Sequence, residues 1–192
     1  MKKKIHDIVG DQINKLNKCI DTLKDSDLKI KTIEIDSSFL AENYIKSKTF
    51  SKCEIFKDLY ESLPKKEPVL YWFTYDVEKL KSDSLEQVFA DARHKTNGRK
   101  FSEIPKILRE SNGTLYVGKV KDKFHYRFVN HLGHSVNDKT GSLQLAYWYK
   151  PEDFGNLKLN YIVFSEEMKT LLGVLEIELA KELKPIVGSH KN

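Results

Sequence analysis

The elements legible from Pro68 onward run strand, helical excursion, strand, helix, short helix, strand, helix, and this order predicts an α/β layer built on a small sheet. Two stretches carry that reading. VLYWFTY, from Val69 to Tyr75, is almost wholly apolar and aromatic, as a strand buried on both faces requires. GTLYVGKVKDKFHYRFVNHLGH, from Gly113 to His134, compresses a strand, a turn and a helix into one segment. Leu115, Tyr116 and Val117 read as the strand, Gly118 as the turning residue, and Asp122 to Leu132 as a helix closed by Gly133. Tyr116, Lys119, Arg127 and His131 would converge near its strand-to-helix corner.

The remaining elements follow from periodicity and punctuation. Ile5, Ile8, Val9, Ile13, Leu16, Ile20 and Leu23 recur at three- and four-residue steps, an amphipathic helix with a Lys- and Asn-rich polar face that needs a partner surface. Leu28 to Ile35 is rich in β-branched residues and fits a strand, and Ser38 opens a helical-looking run through Tyr44 and Ile45. Ser51 and Glu54 form a capping box ahead of Ile55, Phe56, Leu59, Tyr60 and Leu63, and Pro64 ends that helix. The PKKEP segment marks a boundary, giving a mainly helical N-terminal extension over 1–67 and a main domain over 68–192. Within the latter, about 76–112 is a helical insertion with a second capping box at Ser84 and Gln87, a turn RHKTNGRK from Arg93 to Lys100, and a short helix around Ile104 to Leu108. After Gly141, SLQLAYWY fits a short helix or buried turn, Leu157 to Phe164 a strand, and Ser165 to Leu183 a long helix ending at Pro185.

Composition bounds the class. A chain of 192 residues with 40% hydrophobic content supports one core plus additions. Charged residues make up 32%, and a net charge of +5 permits association with a polyanion without requiring it. Cys19 and Cys53 show neither zinc-ligand nor disulfide-framework spacing and are expected to be reduced. Asp7, Gly10 and Asp11 interrupt the N-terminus before any signal-like apolar run forms, and no stretch approaches membrane-spanning length. The expectation is a cytoplasmic protein with no membrane association.

Helical spacing places Glu176 on one stripe with Leu172, Leu179 and Leu183. A carboxylate there is costly unless paired or bound to a cation. Two roles are therefore open: an edge residue that meets water, Lys or Arg, or a cation ligand. Arg127 and His131 lie one helical turn apart beside Phe124, Phe128 and Leu132, and together make a phosphate-facing pair or an exposed Arg with a helix-terminal His. Tyr71 and Tyr116 lie on two strands that would bring two phenols to one end of the sheet if paired, or serve only as packing residues. A metal site of His131, His134 and His190 lacks a supporting carboxylate or Cys.

In order and spacing, these residues resemble the GIY-YIG nuclease superfamily. The first motif would be Val69-Leu70-Tyr71, with Val in place of the usual Gly. The second would be Tyr116-Val117-Gly118 followed by Lys119, with Arg127 and His131 on the next helix and Glu176 ahead of Pro185. The resemblance covers roughly Pro68 to Gly188. It implies an α+β fold with a small, mainly antiparallel three-stranded sheet flanked by helices. It departs from the family in its long insertion and at Gly188, which takes the position of an Asn; Ser189, His190 and Asn192 are the nearby substitutes.

The activity implied is metal-dependent endonuclease hydrolysis of DNA phosphodiesters, of restriction or mobile-element type, with Tyr71, Tyr116, Lys119, Arg127, His131 and Glu176 as catalytic residues. Glu176 would hold one Mg²⁺ or Mn²⁺, Tyr71 would be the general base, and Arg127 would offset charge on the phosphate. DNA would be gripped by Arg93, Lys95, Arg99 and Lys100. Double-strand cleavage with one site per chain implies a homodimer or sequential nicks. The alternative is a catalytically weak or inactive nucleic-acid-binding module on the same fold.

Overall fold

The computed structural model describes residues 2–25, 28–41, 44, 53–79, 87–88, 91–92, 94, 96, 100–102, 113–134 and 141–188. Four strands, Lys31–Ile35 (β1), Val69–Thr74 (β2), Thr114–Val120 (β3) and Leu157–Val163 (β4), form one antiparallel sheet in the order β1-β4-β2-β3. The α+β class is as expected, but the sheet has four strands rather than three. The added strand is β1, which pairs with β4 from Lys31↔Tyr161 to Ile35↔Leu157. Its β-branched Thr32, Ile33 and Ile35 suit a pleated edge, and Ile35 is fully buried.

Among the described residues, the sheet is accompanied by the α-helices Lys2–Asp25 (α1), Glu54–Ser62 (α2), Phe124–Leu132 (α3), Pro151–Phe154 (α4) and Leu172–Leu183 (α5). Side chains alternate across β2, so Tyr71 and Phe73 enter the main core with Phe124, Phe128 and Leu132 of α3. Leu70 enters a second, smaller core with Cys19 of α1, Phe164, Met168 and Leu172. Helix α3 thus backs one face of the sheet, and α5 with the end of α1 backs the other. Among the described residues, no helix is long and apolar enough to cross a membrane.

Several local expectations are corrected. Of the helical run expected from Ser38 through Tyr44 and Ile45, the described part is 3₁₀: a turn over Ser37–Leu40, capped by the Asp36 carboxylate, which accepts from the Ser38 N–H at 2.9 Å, and then Tyr44; Ile45 lies outside the described residues. Helix α2 starts after Cys53, whose side chain makes no capping bond; Ser51 lies outside the described residues. Gly118 is inside β3 rather than at a turn, and the chain reverses at Lys123, which adopts a left-handed conformation ahead of α3. The long C-terminal helix is two elements, a 3₁₀ turn Glu166–Lys169 and α5. The capping box at Ser84 and the helix at Ile104 to Leu108 lie outside the described residues.

After α5, the chain turns at left-handed Lys184 and runs beside β3. Ile186 donates to the Thr114 carbonyl at 3.2 Å and Val187 to that of Leu115 at 2.9 Å, so the outer edge of β3 is covered there.

Candidate active site

β2 and β3 pair with Tyr71 opposite Gly118 and Phe73 opposite Tyr116, which places the two phenols diagonally on the α3 face. Their ring centroids are 6.1 Å apart. Gly118 makes this approach feasible: a Cβ there would lie 2.6 Å from the Tyr71 hydroxyl oxygen and 2.6 Å from Tyr116 Cε1. Its role is close packing of side chains rather than a turn.

Helix α3 supplies the partners of both phenols. Arg127 donates from Nε to the Tyr71 oxygen at 3.1 Å, and from a terminal nitrogen to the Tyr116 oxygen at 3.3 Å and to the Gly141 carbonyl at 3.1 Å. His131 Nε2 lies 2.9 Å from the Tyr71 oxygen, and the Leu143 backbone N–H donates to His131 Nδ1 at 3.2 Å. That second bond selects the tautomer: Nδ1 accepts, so the neutral ring carries its proton on Nε2 and donates it to Tyr71. The Tyr71 oxygen therefore accepts from both His131 and Arg127, which fills its two acceptor positions and directs its own O–H away from both.

Burial sets the protonation states. Tyr71 is fully buried, and burial, then the neighbouring Tyr116, push its pKa well above the ordinary phenol value despite the opposing Arg127 charge. His131 is also fully buried; desolvation and then Arg127 hold its pKa well below that of a free imidazole. Burial works against the Arg127 charge, but the Tyr71 and Tyr116 oxygens outweigh it and raise its pKa. The cluster is a fixed guanidinium bridging two phenols, with a neutral imidazole behind one of them.

Lys119 and Glu176 form an ion pair on the other face of the sheet. Lys119 is opposite Leu70, so its side chain starts on the α5 face, where Glu176 meets it. Gly173, one turn earlier on α5, lies beside the Lys119 stem. The pairing explains how Glu176 is tolerated on an apolar stripe, its side chain only 16% exposed. The two groups are linked through the successive residues Gly118 and Lys119, and the Glu176 charge is one of the influences raising the Tyr71 pKa.

Sequence reasoning missed Gly141 and Leu143, which act through backbone atoms that any residue type possesses. Ser142 between them is fully buried, donates to the Asn130 carbonyl at 2.9 Å and accepts at its own carbonyl from the Ser102 N–H at 2.9 Å. Lys100 is exposed, and its Cε would be 3.9 Å from a Cβ on Gly141, so one basic residue of the insertion sits beside the Arg127 cluster. Arg93, Lys95 and Arg99 lie outside the described residues, as do His190 and the other substitutes for the family's Asn. Gly188 itself has φ +117°, a conformation that favours glycine.

Among the described residues, no group of three His, Cys, Asp or Glu is placed to hold a metal ion. A cage built from protein ligands alone is therefore not among them. Glu176, a partly exposed hard oxygen donor, suits a magnesium-type ion, which binds through one or two carboxylates and completes its shell with water and substrate phosphate. Scans against protein-family models, curated proteins and solved structures return no match to this chain.

Proposed function

We propose that the chain is a cytoplasmic, metal-dependent endonuclease that hydrolyses DNA phosphodiester bonds, as its resemblance to GIY-YIG nucleases implies. One observation carries the reading: Arg127 hydrogen-bonds to the phenols of two different strands, and Lys119, next in the chain to the Gly118 on which both phenols close, pairs with Glu176 on the opposite face of the sheet. Arg127 would receive the phosphate's non-bridging oxygens, the guanidinium matching their geometry with a fork of donors, and Lys119 would meet the backbone on the other face of β3. The fixed dipoles and charge need little reorganisation as negative charge develops.

Tyr71 is the anchor of the cluster, and Tyr116 is the phenol that meets the attacking water. Tyr71 is fully buried with its pKa raised, which suits a fixed neutral hydroxyl better than the general base expected of it. Tyr116 is only partly buried and shares the same Arg127 charge. His131, neutral and oriented by the Leu143 N–H, holds Tyr71 and thereby Arg127 in place. Glu176 would hold the divalent ion, with Lys119 moving from carboxylate to phosphate. When bound, that ion polarises the phosphate and stabilises the leaving oxygen.

Incubation of supercoiled plasmid with Mg²⁺ or Mn²⁺ tests the reading. The wild type should nick or linearise it, and Glu176→Gln and Arg127→Ala should each lower the rate by about 10²-fold or more. Cleavage surviving Glu176→Gln in a contaminant-free preparation would remove the mechanism. The Lys119 pairing of Glu176 favours a second reading, a nucleic-acid-binding module without turnover. Salt-sensitive DNA binding with no cleavage in either metal would establish it.

A further inference from the structure

The Lys119–Glu176 pair is closed on itself. Among the described residues, the Lys119 ammonium meets no other carboxylate or hydrogen-bond acceptor, and the Glu176 carboxylate meets no other cation or donor. The other ion pairs of the described residues, Lys169 with Glu166 and Lys181 with Glu178, are local contacts three residues apart along the chain. Lys119 and Glu176 are 57 residues apart and join β3 to α5. Their side chains are 34% and 16% exposed, so both can be reached by a ligand while Glu176 remains poorly hydrated. Leu175 and Leu179, its neighbours on α5, pack against the second core.

Either ligand of the proposed site has to open this pair. A divalent ion taken up by Glu176 leaves the ammonium beside a like charge, with no other anion at hand. A phosphate taken up by Lys119 strips the carboxylate of its counter-ion beside an apolar stripe. When ion and phosphate arrive together, each member of the pair exchanges one opposite charge for another and neither is left alone. We infer that the Lys119–Glu176 pair is a latch that makes divalent-ion binding and DNA binding mutually dependent. Resting on the proposed nuclease reading, the latch adds a rule of assembly to it: each ligand is held back by the closed pair and favoured by the other. Linkage makes the effect reciprocal, and couplings of this kind are typically 5- to 150-fold.

Breaking the pair from either side should release the other member, and both releases are read as gains of affinity, which a chain that fails to fold does not produce. In EDTA, Glu176→Ala frees Lys119 and should bind a fluorescein-labelled DNA duplex about tenfold more tightly than wild type by anisotropy. Its plot of log affinity against log salt should steepen by about 0.9, the mark of one more phosphate neutralised. Glu182→Ala removes the same charge from an exposed position on α5 and frees no ammonium, so its gain should be smaller. Lys119→Met/Glu176→Ala should lose the gain. Without DNA, Lys119→Met should bind Mn²⁺ about tenfold more tightly than wild type, read from the free-ion signal in electron paramagnetic resonance. The latch is overturned by a Glu176→Ala affinity no greater than that of wild type or Glu182→Ala, by a gain that survives in the double variant, or by Mn²⁺ binding unchanged in Lys119→Met. If wild type nonetheless cleaves plasmid, the nuclease reading stands without the latch. If every gain appears and plasmid stays intact, the latch stands and turnover is what fails.

Discussion

Substituting Gly118 by Ala probes the junction on which the cluster depends. The new methyl would lie 2.6 Å from the Tyr71 hydroxyl oxygen, 2.7 Å from Tyr71 Cζ and 2.6 Å from Tyr116 Cε1, closer than carbon and oxygen tolerate. Tyr71 has nowhere to go: it is fully buried, its ring centroid is 5.2 Å from that of Phe124, and His131 and Arg127 hold its oxygen. Overpacking of this kind costs about 1–3 kcal/mol, and displacing the Tyr71 oxygen from the Arg127 charge adds about 1.5–3 kcal/mol. Taken together, about 2.5–6 kcal/mol lowers Tm by about 5–24 °C in a chain of this size. Gly173→Ala is the matched control. Its Cβ would meet the Lys119 side chain at 3.8 Å, ordinary contact, and the helix gains about 0.5–1 kcal/mol. Thermal denaturation followed by far-ultraviolet circular dichroism compares the two. A Gly118→Ala protein melting with the wild type would refute the assigned close approach and, with it, the placement of Tyr71.

Tyr71→Phe leaves the His131 Nε2–H and the Arg127 Nε–H buried without their shared acceptor, and should cost about 1–3 kcal/mol or more in urea denaturation, exceeding Tyr116→Phe. The pH profile of stability should fall at both ends. The folded pKa of His131 lies below its unfolded value of about 6.5, so the unfolded chain takes up the proton first and stability declines as pH drops below that value. Tyr71 and Tyr149 are raised by burial, so their contribution is complete below about 10 and is lost as pH rises above it. His131→Gln should flatten the acid limb in a urea titration repeated across pH; an unchanged limb would move the titration elsewhere. Replacing Arg93, Lys95, Arg99 and Lys100 by Ala should weaken DNA binding and shrink the slope of log affinity against log salt by about 0.9 for every phosphate no longer neutralised. A slope equal to wild type in fluorescence anisotropy would clear those residues of any part in holding phosphate.

Strand β2 is legible because a continuous apolar run leaves few other options, and the end of α3 is legible because Gly133 takes up φ +95° where the helix closes. The cost of burying Glu176 calls for a cation. That the cation is Lys119 depends on the pairing of β2 with β3, a long-range register that no local pattern encodes. Gly118 reads as a turn because a glycine that frees the backbone and one that admits a neighbouring ring look alike in sequence. β1 reads locally as a strand, but its place beside β4 is decided by chain segments more than 100 residues apart. The Gly141 carbonyl and the Leu143 N–H leave no trace, since backbone donors and acceptors are common to nearly every residue.

The position of Gly118 and Lys119 also constrains where a phosphate can engage the whole cluster. Successive strand residues face opposite sides, so the phenol–Arg127–His131 group belongs to the α3 face and the Lys119–Glu176 pair to the α5 face. A ligand lying on either face meets one group only. Touching both requires it to cross β3, which is the edge strand of the sheet. The segment after α5 covers that edge with hydrogen bonds at Thr114 and Leu115, at the opposite end of β3 from Gly118 and Lys119. On the proposed nuclease reading, a strand of nucleic acid reaching Tyr116, Arg127, Lys119 and Glu176 would therefore pass over the Gly118–Lys119 end of the edge, with Lys100 and Gly141 beside the Arg127 half of its path.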